Sequence, residues 1–192
     1  VLSDEELITE IRSGSQAAME MLVKRHYAMI FSYIYRKIGN HHTAYDLTQE
    51  VFIKMMQSLP SYQSHGKFEH WLLKIAVNHC LDYYRSKQYR NSHVQDELDE
   101  TIPDAHSNVW DLFQLHDQQE QAKQAVLALP EHQRDAIILN YYHGLKIREI
   151  ADVTGANEST IKSRIRAGIS RLKKMLLGEE ELRDGQEQRK QG

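Results

Sequence analysis

Six cations crowd one stretch near the C-terminus of this chain: Lys162, Arg164, Arg166, Arg171, Lys173 and Lys174. No acid interrupts them between Ser159 and Leu177. Positive charge at that density neutralises phosphate. The polar side chains among and beside those cations, Ser159, Thr160, Lys162, Ser163 and Arg166, are of the types that reach base edges or phosphates. A second stretch sets Lys67, Lys74, Arg85, Lys87 and Arg90 among Tyr62, Trp71, Tyr83, Tyr84 and Tyr89. Rings on which bases stack, beside cations that track a backbone, suit a single strand. Phe68 and Trp71 taken alone are better read as core residues, whereas Tyr62 sits in a loop after Pro60 and is the better stacking candidate. A third group, Asp46, Gln49, Glu50 and Ile53, falls at i, i+3, i+4 and i+7, which puts three polar residues and one isoleucine on a single helix face. That face suits a protein contact, although spacing alone favours a solvated surface.

Chemistry of other kinds is not indicated. There is no glycine-rich phosphate loop, no Gly-x-Ser-x-Gly elbow and no Cys-x-x-Cys pair. The eleven histidines include His41–His42 and the pair His79–Cys80, but neither repeats at metal-ligand spacing. The sequence therefore predicts no catalytic residue, no metal, no cofactor and no enzyme.

These residues need elements to position them, and the chain reads as all-α. Three prolines in 192 residues and few alternating β-branched runs leave helices as the recurring pattern. Ile147 to Val153 puts Ile147, Ile150 and Ala151 on one face, Gly155 follows as a turn residue, and Asn157 is a good N-cap for a second helix. That helix buries Ile161, Ile165, Gly168 or Ile169, Leu172 and Met175 or Leu176, with the cations opposite. A short helix, a glycine turn and a basic second helix make a helix-turn-helix. Upstream, Ser3 and Glu6 form a capping box for a helix to Ile11, and a long helix runs from Gln16 to Lys37. Thr43 and Asp46 open a third helix, whose apolar stripe is Ala44, Leu47, Val51, Met55 and Leu59. Lys67 to Lys87 form a fourth. Gln118 to Leu129 is helical again, and Pro130 suits the first turn of the next helix.

Composition divides the chain. Between Asn91 and Ala122 there is no Lys or Arg but eight acids, with Pro103 in the middle. This predicts two small helical domains, 1–90 and 118–178, joined by an acidic linker, 91–117, and followed by a charged, frayed tail, 179–192. Net charge is −3, so the positive charge is local rather than general. A single cysteine, Cys80, forbids an intrachain disulfide. The longest apolar stretch, Tyr27 to Tyr35, is too short to span a bilayer, and the acidic start VLSDEEL is unlike a signal peptide. A cytoplasmic protein without membrane insertion is expected.

With these motifs in hand, the chain resembles the extracytoplasmic-function (ECF) sigma factors of bacterial RNA polymerase, the compact branch of the sigma-70 family. The resemblance runs from Asp4 to Leu177. Asp46-Leu47-Thr48-Gln49-Glu50-Val51-Phe52 is similar to the helix those proteins set against the polymerase β′ subunit. Phe68-x-x-Trp71-Leu72-x-x-Ile75-Ala76-x-Asn78, with Asp82 and Arg85, is similar to their −10 recognition segment. Leu129-Pro130, Glu149-Ile150-Ala151 and Thr160-Ile161-Lys162-Ser163-Arg164-Ile165 are similar to the −35 reader. Thr154 and Ala156 depart from the larger apolar residues usual around the turn glycine. The resemblance implies a transcription-initiation factor that binds the core polymerase (β′ and β), promoter DNA and an anti-sigma factor. It implies core contacts at Asp46, Gln49, Glu50 and Ile53. It places −10 contacts at Tyr62, Lys67, Trp71, Asn78, Arg85 and Lys87, and −35 contacts at Ser159, Thr160, Lys162, Ser163 and Arg166. A free-standing helix-turn-helix regulator would instead bind duplex DNA without polymerase. A helical adaptor would bind no DNA, which the uninterrupted basic face argues against.

Overall fold

Ser3 starts the fold by closing a reciprocal cap. Its hydroxyl accepts from the Glu6 N–H at 3.2 Å, and the Glu6 carboxylate accepts from the Ser3 N–H at 2.6 Å. Helix α1 (Asp4–Arg12) grows from it. In this computed structural model residues 2–63, 67–91 and 119–188 are described, with side chains described to Ser86 in the second stretch and to Leu176 in the third. Helix α2 (Gln16–Ile38) ends at Gly39, and α3 (His41–Ser58) follows almost at once. The cap of α3 is Asn40, whose side chain accepts from the Thr43 N–H at 2.9 Å. The helix thus begins a turn earlier than the Thr43–Asp46 pair predicts, because the better-capping Asn lies directly after the glycine that releases the chain from α2. A 3₁₀ turn, Leu59–Ser61, leads toward α4 (Phe68–Asn91).

These four helices pack as one bundle. The stripe read from the sequence of α3, Ala44, Leu47, Val51, Met55 and Leu59, is buried throughout. It meets Leu22, Ile30 and Ile34 of α2 and Phe68, Leu72 and Ala76 of α4. Helix α1 is tied on by Asp4, which holds His26 at 3.0 Å and Arg25 at 2.6 Å.

The C-terminal part comprises α5 (119–127), α6 (Glu131–Ile137), α7 (Ile147–Thr154) and α8 (Glu158–Gln188). Pro130 caps α6 from just outside rather than occupying its first turn. The helix then widens into one π turn, Ile138–Tyr142, fastened where the Asn140 amide donates to the Leu145 carbonyl at 2.9 Å. Gly168 lets α6 and α8 meet closely, since a Cβ there would stand 2.9 Å from Ile137 Cγ1. Two further readings change in this part. Met175 and Leu176 are exposed rather than buried, lining an open groove with Ala125 and Ala128 of the α5 region. The backbone of α8 also continues through Gly178 to Gln188 instead of fraying. The helix-forming run Glu179 to Arg183 outweighs the modest cost of one interior glycine. The acidic linker, apart from Asn91, lies outside the described residues, and so does Trp110 to Leu115 within it, where the sequence suggests a weak helix.

The two faces of α3 should differ sharply in what substitution costs. Met55→Ala empties a fully buried site and is expected to lower unfolding stability by about 2–5 kcal/mol. Ile53→Ala, at a position 48% exposed, should stay within about 0.5 kcal/mol. Urea denaturation of the two variants checks this; equal losses would mean that the face assignment of α3 is wrong.

Candidate functional site

Helix α7 has an acid in its first turn, Glu149, that accepts from the Lys146 N–H at 2.8 Å and so closes the helix start. Its far end stops at Gly155, with φ of 70°, a conformation that a side chain resists. The tight turn delivers Asn157, whose carbonyl oxygen accepts from the Thr160 N–H at 2.8 Å and caps α8. Ile150, Ala151, Val153 and Ile161 are buried between the two helices. Thr154, a departure from the usual apolar residue, donates its hydroxyl to the Ile150 carbonyl at 2.7 Å. With Ile161 fixed inward, Ser159, Lys162, Ser163 and Arg166 stand exposed on the first turns of α8, and Thr160 is half-buried. The Ser159 hydroxyl donates to the cap oxygen of Asn157 at 2.7 Å, so its proton is already engaged. Two cations and the Ser163 hydroxyl thus remain exposed at the start of this helix.

On α3, Asp46, Gln49, Glu50 and Ile53 are all exposed and share the predicted face. Sequence reasoning drew nothing from His79, yet it lies beneath this face. Its Nε2 is 2.8 Å from Glu50 Oε2, a close contact without hydrogen-bond alignment. Its neighbour Cys80 is buried, and burial pushes the thiol up to about 12, which leaves it a packing group rather than a nucleophile.

Lys67, just before α4, and Trp71, Asn78 and Arg85 on it follow one another at helical spacing along one side. Lys67, Asn78 and Arg85 are exposed and Trp71 is half-buried. The Lys87 side chain lies outside the described residues. Tyr62 is not the free loop platform that was expected. It is 7% exposed, its ring centroid 4.7 Å from that of Trp71 and 5.5 Å from that of Phe68, and its carbonyl accepts from Arg12. Leu59–Ser61, with Pro60 inside it, forms a 3₁₀ turn that ends at Tyr62 and folds its ring inward onto the aromatic start of α4. Tyr62 therefore lies at the floor of a cleft shared with Lys67, His70, Trp71 and Lys74. Among the described residues no cluster of His, Cys, Asp or Glu could hold a metal ion, and no helix is long and apolar enough to cross a membrane.

A model of sigma-70 region 2 matches residues 22–90, and a model of sigma-70 region 4 matches residues 119–172. The two regions occur in order and together take in well over half of the chain. The chain belongs to the sigma-70 family. The ECF RNA polymerase sigma factor SigE of Mycolicibacterium smegmatis is 36% identical over 169 residues, covering 85% of this chain and 65% of SigE. SigW of Bacillus subtilis, also an ECF RNA polymerase sigma factor, is 29% identical, covering 88% of this chain and 94% of SigW. The chain thus spans slightly under two thirds of SigE and nearly all of SigW. The fold is shared with CnrH in complex with the cytosolic domain of CnrY (TM-score 0.67, 21% identity, 92% of this chain and 98% of that one). It is also shared with the sigma factor RpoE in complex with the anti-sigma factor NepR from Bartonella quintana (TM-score 0.66, 21% identity, 83% and 97%).

Between region 2 and region 4 lies a polar cluster that the sequence reading missed. Lys37, at the end of α2, is fully buried, with Nζ 2.8 and 2.9 Å from the two carboxylate oxygens of Asp135 on α6. The Tyr33 hydroxyl donates to the same carboxylate at 2.8 Å, and Glu131 stands 3.5 Å from Nζ. Burial and the adjacent Asp135 push the Tyr33 phenol well above its ordinary range. Arg134 donates to the Lys37 carbonyl at 2.8 Å and to the Tyr84 hydroxyl at 2.9 Å. One signal was available. Lys37 continues the buried series Ile30, Tyr33 and Ile34 at helical spacing, a charge at a core position.

His143 closes the same contact, its ring edge-on to Tyr33 at 6.1 Å. Burial, and then the Arg36 guanidinium, lower its pKa from 6.5 to about 4. The packed state therefore disfavours the proton that the unpacked state accepts. The stability contributed by neutral His143 is complete above about pH 6.5 and is lost as the pH falls toward 4. Urea midpoints measured between pH 7.5 and 4.5 should fall less steeply for His143→Gln than for the parent chain. Parallel curves would show that His143 is not held neutral by the packing.

Proposed function

We propose that the chain is an ECF-type sigma factor. It carries core RNA polymerase to promoters and binds both the −10 and −35 elements. The observation that carries this reading is the ordered pair of sigma-70 regions on one chain, each presenting exposed side chains where its role needs them. Asp46, Gln49, Glu50 and Ile53 meet the β′ subunit, with β as a further contact. Lys67, Asn78 and Arg85 take the melted −10 strand, and Trp71 and Tyr62 line the cleft beside them. Asn78 can donate and accept at one base edge. Lys162, Ser163 and Arg166 enter the −35 major groove, supported by Ser159 and Thr160 near the helix start. Two DNA-binding units joined in one chain and anchored to a large enzyme need little affinity each, because linkage raises effective concentration. Polymerisation belongs to the core enzyme, and the chain itself performs no catalysis. It acts in the cytoplasm, and an anti-sigma factor is a natural partner, as it is for the RpoE that shares this fold.

Core assembly tests the reading directly. Asp46→Ala with Gln49→Ala should weaken capture of the chain by core polymerase at least tenfold, while the melting temperature stays nearly unchanged because both residues are exposed. Glu50 is left in place because it contacts His79. Normal assembly of the double variant would remove the core contact from this face. Failure of the parent chain to bind core would favour a free-standing regulator.

Lys162 and Arg166 are expected to act differently on the −35 element. Losing a phosphate contact weakens binding to every sequence alike and lowers the salt slope by about one unit. Losing a base contact costs roughly 1–3 kcal/mol at one position and relaxes the preference there. Lys162→Ala should show the first pattern and Arg166→Ala the second, when holoenzyme binding to single-base variants is measured at two salt concentrations. Uniform weakening by Arg166→Ala would assign that side chain to phosphate instead.

A further inference from the structure

We propose that residues 109–115 of the linker dock as a short helix in the groove between α5 and α8, so that this chain supplies its own occupant for that surface. The groove, of about 460 Å³, has Gln121, Gln124, Ala125 and Ala128 along its α5 wall and Met175 and Leu176 of α8 along the other. The α5 residues recur at i, i+3, i+4 and i+7, which is one helix face, and the two alanines keep that wall low. Met175 and Leu176 continue the inward-facing period of Ile161, Ile165 and Leu172, yet they are 45% and 48% exposed. A contiguous apolar surface at core spacing, left open to solvent, is a docking surface for another apolar element.

Chain length and composition name the occupant. Residues 109–115 bring Val109, Trp110, Leu112, Phe113 and Leu115 together within a stretch that is otherwise mostly polar and acidic. Helical spacing puts Val109, Trp110, Leu112 and Phe113 on one side and Asp111 on the other. Only residues 116–118 separate this segment from the start of α5 at 119, and helix connections that short join antiparallel neighbours. A seven-residue helix is about 10 Å long, and so is the α5 face from Gln121 to Ala128. Size agrees as well, since Trp110 and Phe113 bring large rings to a wall that holds two alanines. Charge agrees too. Asp104, Asp111 and Asp117 accompany the segment in a stretch without Lys or Arg, while Arg171, Lys173 and Lys174 stand exposed on α8 beside Met175. Docking shortens the tether. With 109–115 held, only 92–108 spans the two regions, and its full reach falls from about 90 Å to about 60 Å. That narrows the separations at which both regions can be engaged at once.

The test is hydrogen exchange of the full chain, resolved to the amides of residues 109–115. The parent chain should protect them about tenfold over a free chain, the protection of a segment docked about nine times in ten. Ala128→Glu and Leu176→Glu, made separately, put a carboxylate into the groove from its two walls at exposed positions. Each should abolish the protection at 109–115 and leave exchange in α6 and α7 as it is in the parent. Trp110→Ser with Phe113→Ser should remove the same protection from the segment's side, without altering the groove. Amides at 109–115 that exchange freely in the parent overturn the docking. Protection that survives both groove variants, as for a helix seated elsewhere, overturns the groove as its site. Protection that rises with protein concentration, with a doubled mass by light scattering, gives the groove to a second copy's segment and overturns occupancy by the chain itself.

Discussion

A lysine with no solvent exposure is an expensive thing to place in a protein, and Lys37 is the point on which the arrangement of this chain turns. Stripping water from an ammonium and a carboxylate costs several kcal/mol for each ion, and their attraction repays this only when the geometry is good and the remaining valences are filled. Here the Asp135 carboxylate and the Lys37 carbonyl are filled, while Glu131 Oε1 and Arg134 Nε stay buried without a hydrogen-bond partner. Asp135 receives Lys37 and the Tyr33 hydroxyl, while the Lys37 carbonyl receives Arg134 and the Tyr84 hydroxyl. An interface of this kind specifies one docking position without binding strongly. A shifted register would leave a buried charge unpaired, whereas full separation returns both charges to water. Apolar side chains of the same volume would often hold the regions more tightly.

The rest of the region contact follows from that fixed point. With α6 placed against the end of α2, the π turn carries Tyr142 under the Arg36 guanidinium, 4.4 Å from the ring centroid, and His143 against Tyr33. The chain then reverses through Gly144 and Leu145 into α7, which lies along α4. The helix-turn-helix is thereby oriented with α7 inward and the first turns of α8 outward. The same turn that sets α8 against α7 also decides which of the two faces region 2.

Much of this was legible in the sequence because it depends on local rules. The capping box at Ser3, the stripe from Ala44 to Leu59, the Gly155 turn and the Asn157 cap all follow from spacing within one or two helical turns, and each stands where it was read. What local rules miss is partnership across the chain. Tyr62 looked free because it follows a proline, but its ring packs on Phe68 and Trp71 across the segment that follows. Met175 and Leu176 carry the right period for burial, yet they line an open groove beside α5. Lys37 stands in the last turn of α2, where a cation is favourable to the dipole. Only a carboxylate 98 residues away explains its burial.

That separation decides what kind of contact this is. Lys37 and Asp135 belong to different sigma-70 regions, so the pair is desolvated only while the two regions are packed together. Removing one partner leaves the other charge buried and unpaired, which is costly, whereas separating the regions returns both charges to water. The pair therefore fixes where the two regions meet more than it adds to how tightly they hold.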